Sequence, residues 1–147
     1  MRYLILSLVV FLSSCASVQT SGYISRVDHP YDKKFYADIE KVTSAFVYVL
    51  KKQGWTIDSE ADPAIYERDE RYENNGYQNL LIITENRNKY LNLKSSHLNV
   101  FIHGINNTCD IEVRYEAQTH LVKQFSSGRN DQVVQGILDA VEDEVSR

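Results

Sequence analysis

Apolar side chains recur along the chain with two different periods, and these periods predict its secondary structure. Over residues 30–54 the apolar positions lie three or four residues apart, as one face of a helix requires; they are Phe35, Ile39, Val42, Phe46, Val49 and Leu50. Pro30 suits the first turn of this helix, and Gly54 suits the left-handed residue that ends it. Residues 130–147 carry a similar stripe, with Asn130 or Asp131 as its cap.

Between the two predicted helices the pattern changes to alternation, which is typical of strands. Residues 55–60 and 79–85 are predicted strands. Residues 65–72 carry charges of both signs, and we interpret them as an edge strand whose charges protect it from aggregation. A turn is expected at residues 74–76, where two asparagines precede a glycine.

The strongest strand signal is a hairpin over residues 97–119 with Asn106 and Asn107 as its turn. In this register Val100 faces Val113 and Ile102 faces Ile111, so that one face of the hairpin is apolar. The same register places Cys109 on the apolar face, and we expect its thiol to be buried.

The other face of the hairpin is polar, apart from Phe101, and is predicted to face water. Together the patterns predict an α+β fold, in which a four- to five-stranded antiparallel sheet has two helices packed on one face. Residues 30–147 would form this single domain.

The first residues of the chain predict where the protein is located. Residues 3–12 are apolar apart from Ser7, too short for a transmembrane helix of about 20 residues but suited to a secretory signal. The order Leu12-Ser13-Ser14-Cys15 then follows, and it resembles the lipobox of bacterial lipoproteins. An ordinary secretory signal followed by a chance cysteine is the alternative.

The resemblance implies that the chain is cut before Cys15 and that this residue carries a diacylglyceryl group. Residues 1–14 would be the signal peptide, and residues 15–29 the lipidated N terminus and tether. Each buried methylene of an acyl chain contributes about 0.8 kcal/mol to membrane binding. Ala16 follows the cysteine, whereas lipoproteins kept at the inner membrane often have aspartate there. The expected location is therefore the cell envelope, at the outer membrane facing the periplasm.

Composition and candidate chemistry narrow the function. The formal net charge of −4 argues against nucleic-acid binding. His97 and His103 lie on one predicted strand about 20 Å apart, too far to share a metal ion. Catalytic motifs, a phosphate-binding glycine loop and paired cysteines are not recognisable, so we expect neither enzymatic activity nor a cofactor or metal.

Tyrosine, of which the chain has ten, indicates a possible protein contact. Tyr66, Tyr72 and Tyr77 cluster in the middle of the chain, and Phe101 is a further candidate contact because the face that it occupies is otherwise polar. We therefore expect a lipid-anchored, non-enzymatic module for protein interaction or envelope assembly, with an envelope protein as partner. The small α+β domains of envelope-assembly lipoproteins have a broadly similar layout. The alternative is a binder or carrier of a small hydrophobic ligand between the helices and the sheet.

Overall fold

The computed structural model describes residues 22–73, 76–87, 94–119, 125–126 and 130–147. Its elements follow one another as β1 (Tyr31–Phe35), α1 (Ile39–Lys52), β2 (Thr56–Ala61), a 3-10 turn (Pro63–Ile65), α2 (Glu70–Glu73), β3 (Gln78–Arg87), β4 (Lys94–Ile105), β5 (Thr108–Thr119), β6 (Phe125–Ser126) and α3 (Asp131–Val145). The sheet has the strand order β1-β5-β4-β3-β2, with β6 paired to β5. All pairings are antiparallel.

Helices α1 and α3 pack on one face of the sheet, which confirms the predicted α+β class. Their shared apolar layer includes Val42, Phe46 and Leu50 from α1, and Val134 and Ile137 from α3, all fully buried. Asp38 caps α1 by accepting a hydrogen bond from the Lys41 backbone N–H at 2.8 Å. Asn130 caps α3 in the same way, through the Val133 N–H at 3.2 Å.

The predicted start of the first helix at Pro30 is wrong, because residues 31–35 form strand β1. This strand pairs with β5 from Tyr31 opposite Val113 to Phe35 opposite Cys109. Phe35 is buried in the apolar layer where the helical pattern placed it. Its spacing from Ile39 fits a helix and a strand equally well. Residues 31–35 form a strand because they pair with an edge of β5 that would otherwise be open.

The register predicted for the β4–β5 hairpin is confirmed. Val100 pairs with Val113, Ile102 with Ile111, and Gly104 with Cys109. Asn106 in the turn has φ +53°, a conformation that asparagine tolerates. The Cys109 thiol is fully buried, as expected, and lies 3.4 Å from the Ala37 carbonyl oxygen to which it donates.

The predicted edge strand over residues 65–72 is wrong. The chain there forms the 3-10 turn and helix α2, joined by irregular residues. Strand β2 takes the edge position instead, and it carries the exposed acids Asp58 and Glu60 with a register shift between Ile57 and Ser59. Charges and a bulge both discourage edge-to-edge pairing of sheets. The protection against aggregation that we expected from residues 65–72 is therefore provided by β2.

The second face of the sheet is covered, which corrects the prediction that it faces water. Asn99, Phe101 and Arg114 on this face are 0% exposed. Two segments without regular periodicity lie over them: residues 22–28, here called the strap, and residues 62–73, here called the cover. The domain therefore has three layers, with the sheet in the middle.

Candidate functional site

Three charged side chains meet between the cover and the sheet and form what we call the charged cluster: Glu67, Glu112 and Arg114. Alternation along β5 places Glu112 and Arg114 on the same face, and the cover brings Glu67 above them. The Arg114 guanidinium binds both oxygens of Glu67 at 2.9 Å and donates through Nε to Glu112 at 2.7 Å. Arginine favours such two-pronged carboxylate contacts because its donors lie in one rigid plane.

Two tyrosines complete the coordination of Glu67. The Tyr23 hydroxyl of the strap donates to Oε2 at 2.7 Å, and the Tyr72 hydroxyl of α2 donates to Oε1 at 2.9 Å. Glu67 therefore connects the strap, the cover and the sheet. A buried charge is tolerated only when it is paired and hydrogen-bonded, and this carboxylate meets both conditions.

The contacts around Glu67 shift the protonation equilibria of three groups: Glu67, Tyr23 and Arg114. Burial opposes ionisation of Glu67, but the hydrogen bonds from Arg114, Tyr23 and Tyr72 outweigh it and lower its pKa to about 2. Burial and the neighbouring Glu67 raise the pKa of Tyr23 to about 12. Burial also opposes the charge of Arg114, yet its bonds to Glu67 and Glu112 raise the pKa above the usual value. At neutral pH Glu67, Arg114 and Tyr23 therefore keep their charge states, and none of the three is poised to transfer a proton.

The strap is bound through its backbone by two residues that face each other across β4 and β5. Asn99 accepts a hydrogen bond from the Ile24 N–H at 2.6 Å and donates to the Gly22 carbonyl at 2.8 Å. Arg114 donates to the Ile24 carbonyl at 3.1 Å. Together they satisfy the backbone groups that the strap buries.

An apolar cluster adjoins the charged one on the same face. Leu81, Ile83 and Phe101 form its fully buried part, and tyrosines of the strap and the cover pack against them. The Arg114 guanidinium lies 4.0 Å above the centre of the Phe101 ring, a close cation–π contact. The face is thus stabilised by apolar packing as well as by charge.

The four aromatic residues predicted as protein contacts have different environments. Phe101 is fully buried, so the expectation that it is an exposed anchor is wrong. Tyr66 and Tyr72 are half-buried: Tyr66 stacks on Tyr23 at 4.8 Å, and Tyr72 stacks on His103 at 5.1 Å. Tyr77 is 39% exposed, and its contact role stays a prediction.

The cover carries an exposed apolar residue that the sequence did not indicate as a contact. Ile65, in the 3-10 turn of the cover, is 74% exposed. Strand β2 runs towards the Asn106–Asn107 turn and ends at Ala61 opposite Leu81, and Tyr77 immediately precedes β3 at the same end. We call Ile65 and Tyr77 the apolar pair.

Cys15 lies outside the described residues, so its lipidation stays a prediction. Cys109 is free, and burial, together with Asp38 and Asp110 nearby, raises its pKa to about 11. It is therefore a protonated thiol at neutral pH and a poor nucleophile.

The two histidines of the predicted polar face lie in different surroundings. His103 is buried and lies 2.8 Å from the Asn79 side-chain oxygen through Nδ1, whereas His97 is half-buried near Gly22. Within the described ranges no group of three or more histidines, cysteines and acids is placed to hold a metal ion.

Concave surfaces of the described residues lie outside the helix–sheet layer. One cleft opens beside the strap and β5, lined by Arg26, His29 and Tyr115 among others. Another opens along β1 and is lined mainly by charged residues, among them Lys33, Asp110 and Glu112. Charged side chains contribute to the linings of both clefts. The clefts differ in this from the mostly apolar cavity that a hydrophobic ligand would require.

Comparison with known proteins gives no relatives: no protein-family model matches the chain, and no curated protein is significantly similar to it. In the part of the chain that the structure describes, none of the helices is long and apolar enough to cross a membrane.

Sequence reasoning placed Glu112 and Arg114 correctly on one face but did not find the cluster. Glu67 and Tyr23 were not found because they lie in the cover and the strap, whose sequences show no periodicity. One sequence feature could have indicated the cluster: an arginine and a glutamate lie two residues apart on a strand, and an aromatic residue lies beside them on the neighbouring strand. The aromatic ring and the opposite charges give such an arginine several partners that let its charge be buried.

Proposed function

We propose that this chain is a lipid-anchored protein of the bacterial cell envelope, at the outer membrane facing the periplasm, and that its domain binds another envelope protein without catalysing a reaction. The observation that carries the anchor is the order Leu12-Ser13-Ser14-Cys15 after an apolar segment. The protonation states support the non-enzymatic part, because the strongly shifted groups are held in one charge state by their neighbours.

The apolar pair supports protein binding and changes the expected contact surface. With the second sheet face covered, Phe101 is no longer a contact, and Tyr66 and Tyr72 serve mainly to hold the cover. Ile65 and Tyr77 are exposed apolar groups, as are Tyr36 and Tyr48, and Tyr77 is the one of these that the sequence had indicated as a contact. Tyrosine and other large apolar residues are enriched at protein interfaces.

Binding of a small hydrophobic ligand between the helices and the sheet has less support. The side chains that line this layer are almost fully buried and pack against one another, from Val42 and Phe46 on α1 to Ile137 and Val141 on α3. Inserting a ligand would separate contacts that stabilise the fold.

The anchor is tested by membrane fractionation of two cysteine variants. Cys15→Ala removes the acceptor of the lipid and should move the protein from the membrane pellet to the soluble periplasmic fraction. Cys109→Ala, the matched control, should stay in the pellet because this residue is buried in the domain. Retention of Cys15→Ala in the pellet would contradict the lipid anchor.

The contact surface is tested by photo-crosslinking in intact cells. A photoreactive amino acid replaces Tyr77, or Gln135 on the exposed surface of α3 as the control. We expect one discrete adduct with an envelope protein from position 77 and none from position 135. Equal labelling from both positions would show that the apolar pair is not the contact.

A further inference from the structure

The strap crosses the sheet from the side of β2 and β3 to the opposite edge, where it continues into β1. Its start, Gly22, lies close to the side chains of Asp58, Ile83 and His97. Ile24 lies over the Asn99–Arg114 pair and is 6% exposed. A segment whose backbone is hydrogen-bonded at both Gly22 and Ile24 is part of the folded domain and not of a free tether.

Gly22 is suited to this position in two respects. Its φ of +101° is a conformation that other residues rarely adopt. A Cβ atom there would lie 3.0 Å from Cγ2 of Ile83, tighter than ordinary contact. The start of the strap is therefore held against the sheet by close packing as well as by hydrogen bonds.

The strap starts far from the β4–β5 turn. Asn99, which is hydrogen-bonded to Gly22, precedes Asn106 by seven residues along β4, which corresponds to about 23 Å at the rise of a strand. Tyr77 lies at the turn end of the sheet, since it precedes β3 where Gln78 pairs with Gly104.

The chain between the proposed lipid and the strap is short. Seven residue steps separate Cys15 from Gly22. Such a chain spans at most about 25 Å when fully extended, and about 15 Å on average when flexible. This average is shorter than the distance from the start of the strap to the turn.

We infer that the docked strap limits both the distance and the orientation of the domain at the membrane, with Asn99 and Arg114 as the residues that position it. The start of the strap lies towards the bilayer, and the turn end, with Tyr77, points away from it towards a partner in the aqueous compartment. This inference rests on the proposed lipidation of Cys15. If the strap were undocked, the tether would extend to Pro30 and the domain would turn freely.

Two insertions of equal length distinguish a docked strap from a free one. A flexible Gly/Ser segment of about twenty residues, placed between Val18 and Gln19, roughly doubles the average tether length. The matched insertion lies between Asp28 and His29, an exposed bend after the strap. The lipidated full-length proteins are reconstituted into vesicles of phosphatidylethanolamine and phosphatidylglycerol that contain an acceptor-labelled lipid.

The readout is energy transfer from a donor dye on a single introduced cysteine. Lys51→Cys reports the end of α1 remote from the turn, and Asn107→Cys reports the turn. We expect higher transfer from position 51 than from position 107. The insertion after Val18 should lower transfer from position 51, and the insertion after Asp28 should leave it unchanged.

Contrary results separate the two proposals. Equal losses of transfer from both insertions, or equal transfer from positions 51 and 107, would overturn the inference about the strap while the protein still sediments with the vesicles. Failure of the uninserted protein to sediment with the vesicles would instead contradict the lipid anchor on which the inference rests.

Discussion

Arg114 is the residue on which the second face of the sheet most depends. Its side chain is 0% exposed, binds two carboxylates and one backbone carbonyl, and lies over an aromatic ring. Buried ion pairs add little net stability compared with apolar side chains of the same size, but removal of one partner leaves the others buried and unpaired. The cluster therefore determines how strap and cover are placed more than it adds to overall stability.

Replacement of Arg114 by methionine should lower the free energy of unfolding by about 3–5 kcal/mol, because Glu67 and Glu112 lose their counter-charge. Urea denaturation of purified protein measures this loss. Lys34→Met is the control: Lys34 pairs with Asp110 at 3.2 Å, but both side chains are about half exposed, so a change below about 1 kcal/mol is expected. Similar losses in the two variants would show that the cluster is not buried as described.

Acid should weaken the domain through Glu67. Its pKa is about 2 in the folded protein, against 4.5 for the free side chain, because Arg114, Tyr23 and Tyr72 donate to the carboxylate. A lowered folded pKa contributes stability that is complete above the unfolded pKa and is lost as the pH falls from about 4.5 towards 2. Denaturation curves over this range measure the loss. The Glu67→Gln variant should have a lower free energy of unfolding at pH 7, and this free energy should vary less between pH 4.5 and 2 than in the unchanged protein. The same pH dependence in both proteins would contradict this linkage.

At the scale of elements, α1 and the β4–β5 hairpin were predictable because each is specified by local periodicity. Helix α1 buries Val42, Phe46, Val49 and Leu50 as its stripe required, and the hairpin has the predicted register. Strand β1 was not predictable, because five residues with apolar positions at Tyr31 and Phe35 also fit the helical stripe. Their state depends on the exposed edge of β5, which is remote in sequence.

Two glycines in different elements should respond oppositely to alanine. In β4, a Cβ at Gly104 would lie 2.9 Å from the Ile39 side chain, so Gly104→Ala should destabilise the domain by about 1–3 kcal/mol. In α3, a Cβ at Gly136 would meet no atom within 4 Å, so Gly136→Ala should stabilise it by about 0.5–1 kcal/mol. Thermal unfolding measures both. A neutral Gly104→Ala would show that α1 does not pack closely on β4.

At the scale of the whole molecule, the fold class followed from sequence but the number of layers did not. Two amphipathic helices and alternating strands indicate one covered sheet face, and that face is as expected. The other face looked water-exposed because its residues are polar. This face is covered through contacts between residues far apart in the sequence, such as Ile24 and Arg114. No local sequence pattern in the strap or the cover predicts these contacts. The candidate site was missed for the same reason, since it exists only where the three layers meet.

Because Cys109 is buried in the folded domain, the reactivity of its thiol reports whether the domain is folded. In the native domain it is closed off from solvent and held protonated, so oxidants and other thiols do not reach it. A chain that has not yet closed helix α1 over the hairpin exposes it. In an oxidising compartment such a chain can be captured through a mixed disulfide, whereas a finished one cannot. The rate at which an added thiol reagent modifies Cys109 would therefore report how often α1 opens away from the hairpin.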